Sequence, residues 1–428
     1  METKLNKTQS TLINPPTSLK GKLKFVGPGL IVAATGVGAG DFIMATIAGT
    51  SFGWSLMWVI AVGAYIKYVL SEGVGRWYLA TGKTFLQGWH SLGWWATVYF
   101  GIYSVIFGII YGAAEPAISA LVITAMFPGT SFELWAIVSG VAGFVLVWFG
   151  KYEFLEKLMT VLIGIMFVTV IGSAVIILLN IGNVSYSLAP SIPEGSFFKL
   201  LGIIGGVGGS ITLTSYSYWL HAKGWKGKKW IPIMKIDLGT AFTITGMFAI
   251  AVMIIAAELL FGSGTTISGN EGLLGLADTY GERFGSAARW ILLIGIWVAV
   301  FTSIIGPWHG ISYLFADFVR IVRNKGKSID NDEPISEKDP AFRIYLAWMT
   351  FPPMLLLLFN QPVAIVLIYG VLGAIFMPIL SIGLLILLNS KRVDPDYRNG
   401  KINNIVLGLI IMLFLYLGAS ELYHSFFS

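Results

Sequence analysis

Eleven apolar segments, each about 17 residues or longer, follow one another along this 428-residue chain, and such a segment is long enough to cross a bilayer as a helix. They lie at about 26–49, 53–80, 95–127, 134–150, 155–180, 197–221, 237–262, 287–321, 342–359, 363–389 and 403–422. Only 12% of the residues are charged, roughly half the share in an average soluble domain. The sequence therefore predicts an all-α integral membrane protein with eleven transmembrane helices.

The loops between these segments alternate in basic charge. Lys and Arg concentrate in the N-terminal tail, at 76–83, at Lys151, and at 223–235, 320–327 and 391–401. The opposite loops 49–53, 127–133, 181–196 and 359–363 contain neither residue, and only the connecting segment 262–289 departs from the pattern, with Arg283 and Arg289. Basic loops face the cytoplasm. We therefore expect a multi-pass cell-membrane protein with a cytoplasmic N-terminus and, after an odd number of spans, an extracytoplasmic C-terminus.

The net charge of +6 resides in these short loops, so it indicates topology and predicts no nucleic-acid partner. The chain has no cysteine, which excludes disulfides and thiolate metal sites. No phosphate-binding or dinucleotide-binding motif is present. We expect no enzymatic activity and no tightly held cofactor, and we expect transport to draw its energy from a gradient or from another subunit.

Glycines interrupt two of the predicted spans. The first span contains Gly-Val-Gly-Ala-Gly-Asp at 36–41, and the sixth contains Gly-Gly-Val-Gly-Gly-Ser at 205–210. Glycine disfavours a continuous helix, and inside a bilayer the freed backbone groups must face protein or a water-filled cavity. A matched pair of broken helices is the best sequence indication of a transporter's binding site. Close helix packing is the alternative explanation, above all for Gly202, Gly205 and Gly209.

These breaks lie at the starts of two successive groups of five spans, which is the five-plus-five plan of the leucine-transporter-type fold. The predicted divisions are a cytoplasmic tail at 1–23, a first repeat at 24–181 (helices 1–5), a second repeat at 197–390 (helices 6–10) with a cytoplasmic linker at 323–340, and helix 11 at 403–422. In this plan helices 1 and 6 are discontinuous, the two repeats are inverted, and the eleventh helix is an addition at the C-terminus.

Several ionisable residues fall inside predicted spans, where a charge is costly. Asp41 follows the first break and is a candidate for substrate contact or for capping the second half of helix 1. Glu115 is a candidate proton acceptor or a partner for a freed helix carbonyl. Lys67 and Glu72 are five residues apart, so a direct pair is doubtful, and Lys67 is a possible partner of Asp41 or Glu115. His221 ends span 6, as a proton relay or an interfacial residue.

Two further residues in span 8 have less specific explanations. His309 follows Pro307, and we expect it to repair the backbone near a kink rather than to contact a ligand. Asp317 is close in sequence to Arg320, which predicts a surface ion pair.

Several stretches of the sequence form a recognisable framework. They are Gly-Pro-Gly-Leu-Ile at 27–31, Phe-Gly-Trp-Ser-Leu-Met-Trp-Val-Ile at 52–60, residues 76–82, Ala114-Glu115 and Trp219-Leu220-His221. Through these stretches the chain resembles the Nramp family of metal-ion transporters, and the resemblance covers most of its length. The resemblance implies proton-coupled uptake of divalent metals, with the ion held between the unwound parts of helices 1 and 6. It also implies that Glu115 lies where the family has a proton-pathway carboxylate, and that His221 matches a family histidine.

The family's metal-binding motifs are replaced in this chain. The segment 38–41 reads Gly-Ala-Gly-Asp where the family has Asp-Pro-Gly-Asn, and 214–216 reads Thr-Ser-Tyr where it has Met-Pro-His. The thioether that favours manganese and iron is therefore missing, and Asp41 is the one candidate metal ligand. A carboxylate with hydroxyls and carbonyls suits a hard cation such as magnesium or a monovalent ion, and the same groups with Tyr216 also suit a small polar organic solute.

The sequence thus predicts a secondary active transporter that moves a cation, by family a divalent metal, or a small polar solute by alternating access with proton coupling. Its partners would be that solute, protons and the lipid bilayer. An organic-solute transporter on the same scaffold and a non-transporting membrane sensor are the alternatives. The candidate substrate-binding residues are Gly38, Ala39, Gly40, Asp41, Ile211, Thr212, Thr214, Ser215, Tyr216 and Ser217; the candidate proton-pathway residues are Glu115, His221, Lys67 and Glu72.

Overall fold

The computed structural model describes residues 15–16, 18–23, 25–180, 190–193, 203–204, 209–263, 270–324 and 335–427, and in these residues the regular structure is helical, without strands. The helices of the first half are α1 (Leu19–Leu23), α2 (Pro28–Gly36), α3 (Ala39–Phe52), α4 (Met57–Thr81), α5 (Phe85–His90), α6 (Trp94–Met126), α7 (Phe132–Phe149), α8 (Tyr152–Met166) and α9 (Gly172–Leu179), with a π-helical segment, Phe167–Ile171, between α8 and α9.

The second half begins its described helices with a 3₁₀ segment, Ile211–Ser215. The α-helices that follow are α10 (Tyr216–Ala222), α11 (Ile231–Leu260), α12 (Asn270–Phe284), α13 (Ser286–Arg323), α14 (Pro340–Thr350), α15 (Met354–Leu357), α16 (Pro362–Asn389) and α17 (Lys401–Phe427). Short 3₁₀ turns at Lys228–Trp230 and Pro395–Tyr397 lie in two of the basic loops.

Seven described helical stretches are long and apolar enough to cross a membrane, and the bent pair α2 and α3 makes an eighth. The other three predicted spans are the sixth, of which 197–202 and 205–208 lie outside the described residues, the ninth, and α17, whose apolar stretch is Lys401–Tyr416. The tail at 1–14, the loop at 181–189 and the linker at 325–334 also lie outside the described residues. The predicted division into two repeats stays a prediction.

Two segments that the sequence suggested were loops contain helices. α5 begins after Thr84, whose hydroxyl oxygen accepts a hydrogen bond from the amide of Gln87. In return, the side-chain oxygen of Gln87 accepts a hydrogen bond from the amide of Thr84. α12 lies within the predicted loop 262–289. Arg289, which broke the charge pattern there, pairs with Asp278 of α12 at 2.8 Å, so its charge is neutralised locally.

The predicted ninth span is interrupted. α14 ends at Thr350, and only the four residues of α15 resume the helix. Pro352 and Pro353 stand between them, and proline lacks the amide hydrogen that a continuing helix needs. The apolar composition predicted the span, whereas the proline pair sets its division.

The broken first span packs in the middle of the bundle. α3 packs mainly against α11, and α2 lies against α8, α11 and α13. Glycine permits α3 to approach α11 closely: a β-carbon at Gly49 would lie 2.5 Å from the carbonyl oxygen of Met253. The 3₁₀ segment before α10 contacts α2, α4 and α13. The two interrupted regions are therefore neighbours inside the bundle.

Candidate functional site

The first span is divided into two helices, as the glycines predicted. α2 ends at Gly36, α3 begins at Ala39, and the two axes differ by 52°. Val37 and Gly38 between them have extended backbone angles. A β-carbon at Gly38 would lie 2.5 Å from the hydroxyl of Ser303 on α13. The break therefore depends on glycine for its tight contact with α13.

The Glu115 side chain reaches this break from α6. Its Oε2 atom accepts a hydrogen bond from the amide of Ala39 at 2.9 Å and another from the hydroxyl of Ser303. The residue is 1% exposed. Glu115 thus binds a freed amide at the start of α3 rather than a carbonyl, where the unpaired N–H groups and the helix dipole favour a negative charge.

A second carboxylate occupies the same helix end. Asp41 lies in the first turn of α3, and its Oδ2 atom accepts a hydrogen bond from the amide of Gly38 at 3.3 Å. Asp41 is 1% exposed, and Ala39 and Gly40 beside it are also buried. Asp41 therefore caps the start of α3. Its contact with a substrate stays a prediction.

The second break is described from Gly209 onward, because 205–208 lie outside the described residues. Gly209 has a φ of 79°, which side chains disfavour, and a β-carbon there would lie 2.5 Å from the Thr212 hydroxyl oxygen. The chain then forms the 3₁₀ segment Ile211–Ser215 before α10. The sixth span is therefore irregular at its predicted position.

The hydroxyl groups of this segment bond mainly to nearby backbone. Thr214 donates to the carbonyl of Ile211 at 2.6 Å, and Ser217 donates to the carbonyl of Thr214 at 3.0 Å. Thr212 and Ser215 are buried as well. The candidate residues from 211 to 217 are thus all buried, in the 3₁₀ segment and the first turn of α10. Their contact with a substrate stays a prediction.

Lys67 joins the two breaks. This lysine lies on α4, is 0% exposed, and donates a hydrogen bond from Nζ to the carbonyl oxygen of Gly209. The negative charge of Asp41 interacts favourably with it. Of the two acids that the sequence suggested as partners, Asp41 acts on Lys67. The Lys67 amino group thus binds a carbonyl at the second break and lies within electrostatic range of the Asp41 carboxylate at the first.

Asp237, on α11, is a buried acid that the sequence analysis did not single out. Its two oxygens accept hydrogen bonds from the amides of Gly27 at 2.9 Å and Gly29 at 2.6 Å, and Oδ2 also accepts from the hydroxyl of Tyr216 at 2.8 Å. It thereby holds the start of α2 against the start of α10. The available signal was an acid at the first position of the apolar segment 237–262.

Glu72 pairs with Arg76 one turn later on α4, with Oε2 at 2.9 Å from the guanidinium. Arg76 also donates to the carbonyl of Tyr397 and to the side chain of Asn399, both at 2.8 Å. Lys235 is a weaker partner at 3.9 Å. Glu72 thus holds Arg76, which ties α4 to the loop before α17. The part of Glu72 in a proton pathway stays a prediction.

A cavity of about 280 Å³ opens among the basic loops. We call this end the basic end, defined by the contacting loops 79–84, 223–230 and 390–400. The cavity is lined by Gly82, Thr84, Tyr152, Tyr218, His221, Ala222, Tyr313, Arg320, Ile335, Ser336 and Glu337. His221 lies in its wall with Nδ1 at 3.1 Å from the hydroxyl of Tyr78. A relay role for His221 stays a prediction.

Asp317 does pair with Arg320, at 3.0 Å, but the expected surface position is wrong because Asp317 is 0% exposed. Its Oδ2 atom accepts hydrogen bonds from Thr84 at 2.5 Å and from Tyr218 at 2.7 Å. It therefore ties α13 to the start of α5 and to α10.

His309 faces an acid from the linker. Its Nε2 atom lies 3.7 Å from the Glu337 carboxylate, which is longer than a hydrogen bond. Partial burial raises the pKa of Glu337, but the neighbouring His309 and Tyr313 side chains outweigh it and lower this pKa to about 2. α13 runs as one helix through Pro307. The linker thus reaches the interior through a contact between Glu337 and His309 that the sequence did not indicate.

Among the residues that the structure describes, no group of three or more His, Asp or Glu side chains is arranged to hold a metal ion. At the breaks, the described acids are Asp41 and Glu115, and each already accepts a backbone hydrogen bond. A cation at this place would have to rely on one or two carboxylates together with backbone carbonyls and hydroxyls.

The fold is that of the leucine-transporter-type membrane proteins, as the sequence predicted. MhsT, solved with L-phenylalanine, aligns with a TM-score of 0.57 and 15% identity over 91% of this chain and 98% of its own. Mhp1, a nucleobase-cation-symport-1 family transporter, aligns with a TM-score of 0.58 and 14% identity over 92% and 90%. At such identities these similarities concern the fold alone.

The chain belongs to the Nramp family, described as natural resistance-associated macrophage protein-like, whose profile matches residues 29–424. A mutant of the Eremococcus coleocola manganese transporter aligns with a TM-score of 0.75 and 15% identity over 99% of this chain and 92% of its own. An uncharacterized protein of Pasteurella multocida strain Pm70 is 24% identical over 317 residues, which are 72% of this chain and 73% of the relative. The predicted resemblance is confirmed, and the chain is a multi-pass membrane protein.

Proposed function

We propose that this protein is a secondary active transporter whose substrate site lies between the break at 36–39 and the irregular segment at 209–215. The observation that carries this proposal is the meeting of three buried ionisable side chains, Asp41, Glu115 and Lys67, at these two breaks. Buried charges inside a membrane protein are rare and mostly functional. Membership of a family of transporters supports the same conclusion over enzymatic activity.

The substrate class that the site supports best is a small hard cation. Asp41, the Gly209 carbonyl and nearby hydroxyls are oxygen ligands of the kind that magnesium-like ions prefer. A transporter of similar fold is named for manganese. The segment 214–216 of this chain has no thioether or imidazole, so a preference for soft transition metals lacks its usual ligand.

Alternating access and proton coupling complete the proposal. The cavity at the basic end offers a route from one side, and it includes His221. By the distribution of basic loops that end is cytoplasmic, with the N-terminus inside and the C-terminus outside. Glu115 is the proposed proton carrier because it is buried at the substrate site and can exchange its bonds with Ala39 and Ser303. Lys67, Glu72 and His221 are the further candidates on the proton pathway.

Uptake into proteoliposomes tests the function. We expect the purified full chain to accumulate magnesium or manganese more strongly with an inward pH gradient than without one. Asp41→Ala should lower this uptake by about tenfold or more, since it removes the carboxylate that would bind the ion, a loss of about 1.4 kcal/mol or more. Glu153→Gln, at an exposed acid at the start of α8, is the matched control and should transport normally.

An organic-solute transporter on the same scaffold is the second candidate, favoured by the replaced metal-binding motifs. Including amino acids, nucleobases and other small polar solutes in the uptake assay separates the two. Uptake of such a solute without metal uptake would contradict the cation proposal. If no tested solute is transported and none alters thermal stability, the protein is better explained as a membrane sensor.

A further inference from the structure

Lys67 lies where the two breaks would jointly hold a cation. Its ammonium donates to the freed carbonyl of Gly209, and the Asp41 carboxylate acts on it electrostatically. A carboxylate and a backbone carbonyl are the two kinds of oxygen ligand that hard cations commonly take in proteins. The lysine therefore uses groups that a free ion at this place would need.

The two breaks are also filled in a complementary way. Carboxylates from Asp41 and Glu115 accept from the amides that begin α3, whereas an ammonium donates to the carbonyl at the second break. A substrate anion would find the helix N-terminus already occupied by negative charge. A substrate cation would find its carbonyl already taken, and it would be repelled by the ammonium at short range.

We infer that Lys67 is a built-in cation that competes with the substrate ion, so that an ion binds only when the lysine leaves the Gly209 carbonyl. Lys67 is thus a specificity-determining residue of the proposed substrate site. The inference rests on the proposed function for the location of that site, but it makes a separate statement about ion affinity.

The competing explanation is structural, in which Lys67 serves only to hold the irregular segment around Gly209. The two explanations require different properties of the Lys67 side chain. A structural role requires a hydrogen-bond donor of suitable length, whereas competition requires the positive charge. Lys67→Gln keeps a donor and removes the charge, while Lys67→Arg keeps both the charge and donors. The comparison of these two variants therefore separates the explanations.

The test measures the dissociation constants of magnesium and manganese chloride by titration calorimetry, with the full chain in lipid nanodiscs. We expect Lys67→Gln to bind one of these ions at least tenfold more tightly than the natural protein, and Lys67→Arg to show no gain. Lys157→Gln, at an exposed lysine of α8, is the control and should match the natural protein. Adding Asp41→Asn to Lys67→Gln should abolish the gain.

Unchanged or weaker ion binding by folded Lys67→Gln would overturn the inference, as would an equal gain in Lys67→Arg. If Lys67→Gln does not fold, Lys67→Met is measured by the same criteria, and failure of both to fold while Lys67→Arg folds and binds ions tightly also contradicts competition. The proposed function fails separately: tighter ion binding by Lys67→Gln without uptake by any form supports the competition and opposes transport. Uptake by the natural protein, without tighter ion binding by Lys67→Gln, supports transport and opposes the competition.

Discussion

The two breaks are neighbours inside the bundle, but side chains of opposite charge type bind them. At the first, two carboxylates accept hydrogen bonds from the amides of Gly38 and Ala39. At the second, the Lys67 ammonium donates to the carbonyl of Gly209. Both arrangements satisfy backbone groups that the helix no longer pairs, which is obligatory inside a membrane protein.

The difference teaches that a helix break does not by itself determine the charge of its ligand. A break exposes amides on one side and carbonyls on the other, and neighbouring helices decide which of these stay available. In this protein α6 supplies Glu115 to the first break, and α4 supplies Lys67 to the second. Which backbone amides and carbonyls remain available to a substrate therefore depends on residues that lie outside both breaks.

The largest effect that we expect concerns Asp237, which links the start of the first span to Tyr216 just after the second break. Asp237→Leu would leave the amides of Gly27 and Gly29 and the Tyr216 hydroxyl without this acceptor. Each buried group left unpaired costs about 1 to 3 kcal/mol, so we expect a loss of at least about 3 kcal/mol in the free energy of unfolding. Thermal unfolding in nanodiscs measures it.

Asp237→Asn is the matched control, because it keeps one acceptor oxygen and nearly the same volume, and it should lose less stability than Asp237→Leu. Equal stability of Asp237→Leu and the natural protein would show that this residue does not hold the start of the first span to Tyr216.

We expect a smaller effect from a change at Glu115 that separates the negative charge at the first break from the hydrogen bond to the Ala39 amide. Glu115→Gln keeps an acceptor for the Ala39 amide but removes the negative charge. We expect proton-driven uptake to fall by roughly tenfold, within the 5- to 150-fold range of typical coupling energies, while substrate binding in the absence of a pH gradient is nearly unchanged. Uptake assays with and without the gradient measure both quantities. Unaltered uptake with the gradient would remove Glu115 from proton coupling.

Much of the fold could be predicted because its signal is local in sequence. Apolar length gave most spans to within a few residues, as in α6, expected at 95–127 and observed at Trp94–Met126. The glycines at 36 and 38 predicted the first break. The two missed helices, α5 and α12, are short or weakly apolar, so a search for membrane spans could not find them.

The partners inside the site were harder to predict because they join distant parts of the chain. Asp41 and Glu115 were recognised as candidates, but the sequence could not indicate which amides they bind. Asp237 was overlooked because its hydrogen bonds reach residues more than 200 positions away. The contact between Glu337 of the linker and His309 of α13 likewise joins residues that are not adjacent in sequence.

The smallest effect that we expect concerns Glu337, a carboxylate in the cavity at the basic end and not at the first break. It affects how the stability of the protein depends on pH. Partial burial raises the pKa of Glu337, but the neighbouring His309 and Tyr313 side chains outweigh it and lower the pKa from 4.5 to about 2. A carboxyl with a lowered folded-state pKa stabilises the folded state at pH values above its unfolded pKa, and this stability is lost as the pH falls toward the folded pKa. The contribution of Glu337 should therefore be constant from pH 7 to 5 and decrease below about pH 4.5.

Thermal unfolding of the natural protein and of Glu337→Gln, followed from pH 7 down to pH 3, checks this expectation. The natural protein should be the more stable at neutral pH, and the difference between the two unfolding temperatures should shrink below about pH 4.5. Glu282→Gln, at an exposed acid of α12 whose surroundings are unrelated to the cavity, should follow the natural protein throughout. A difference that stays constant or grows toward pH 3 would show that the linker contact does not depend on the Glu337 charge.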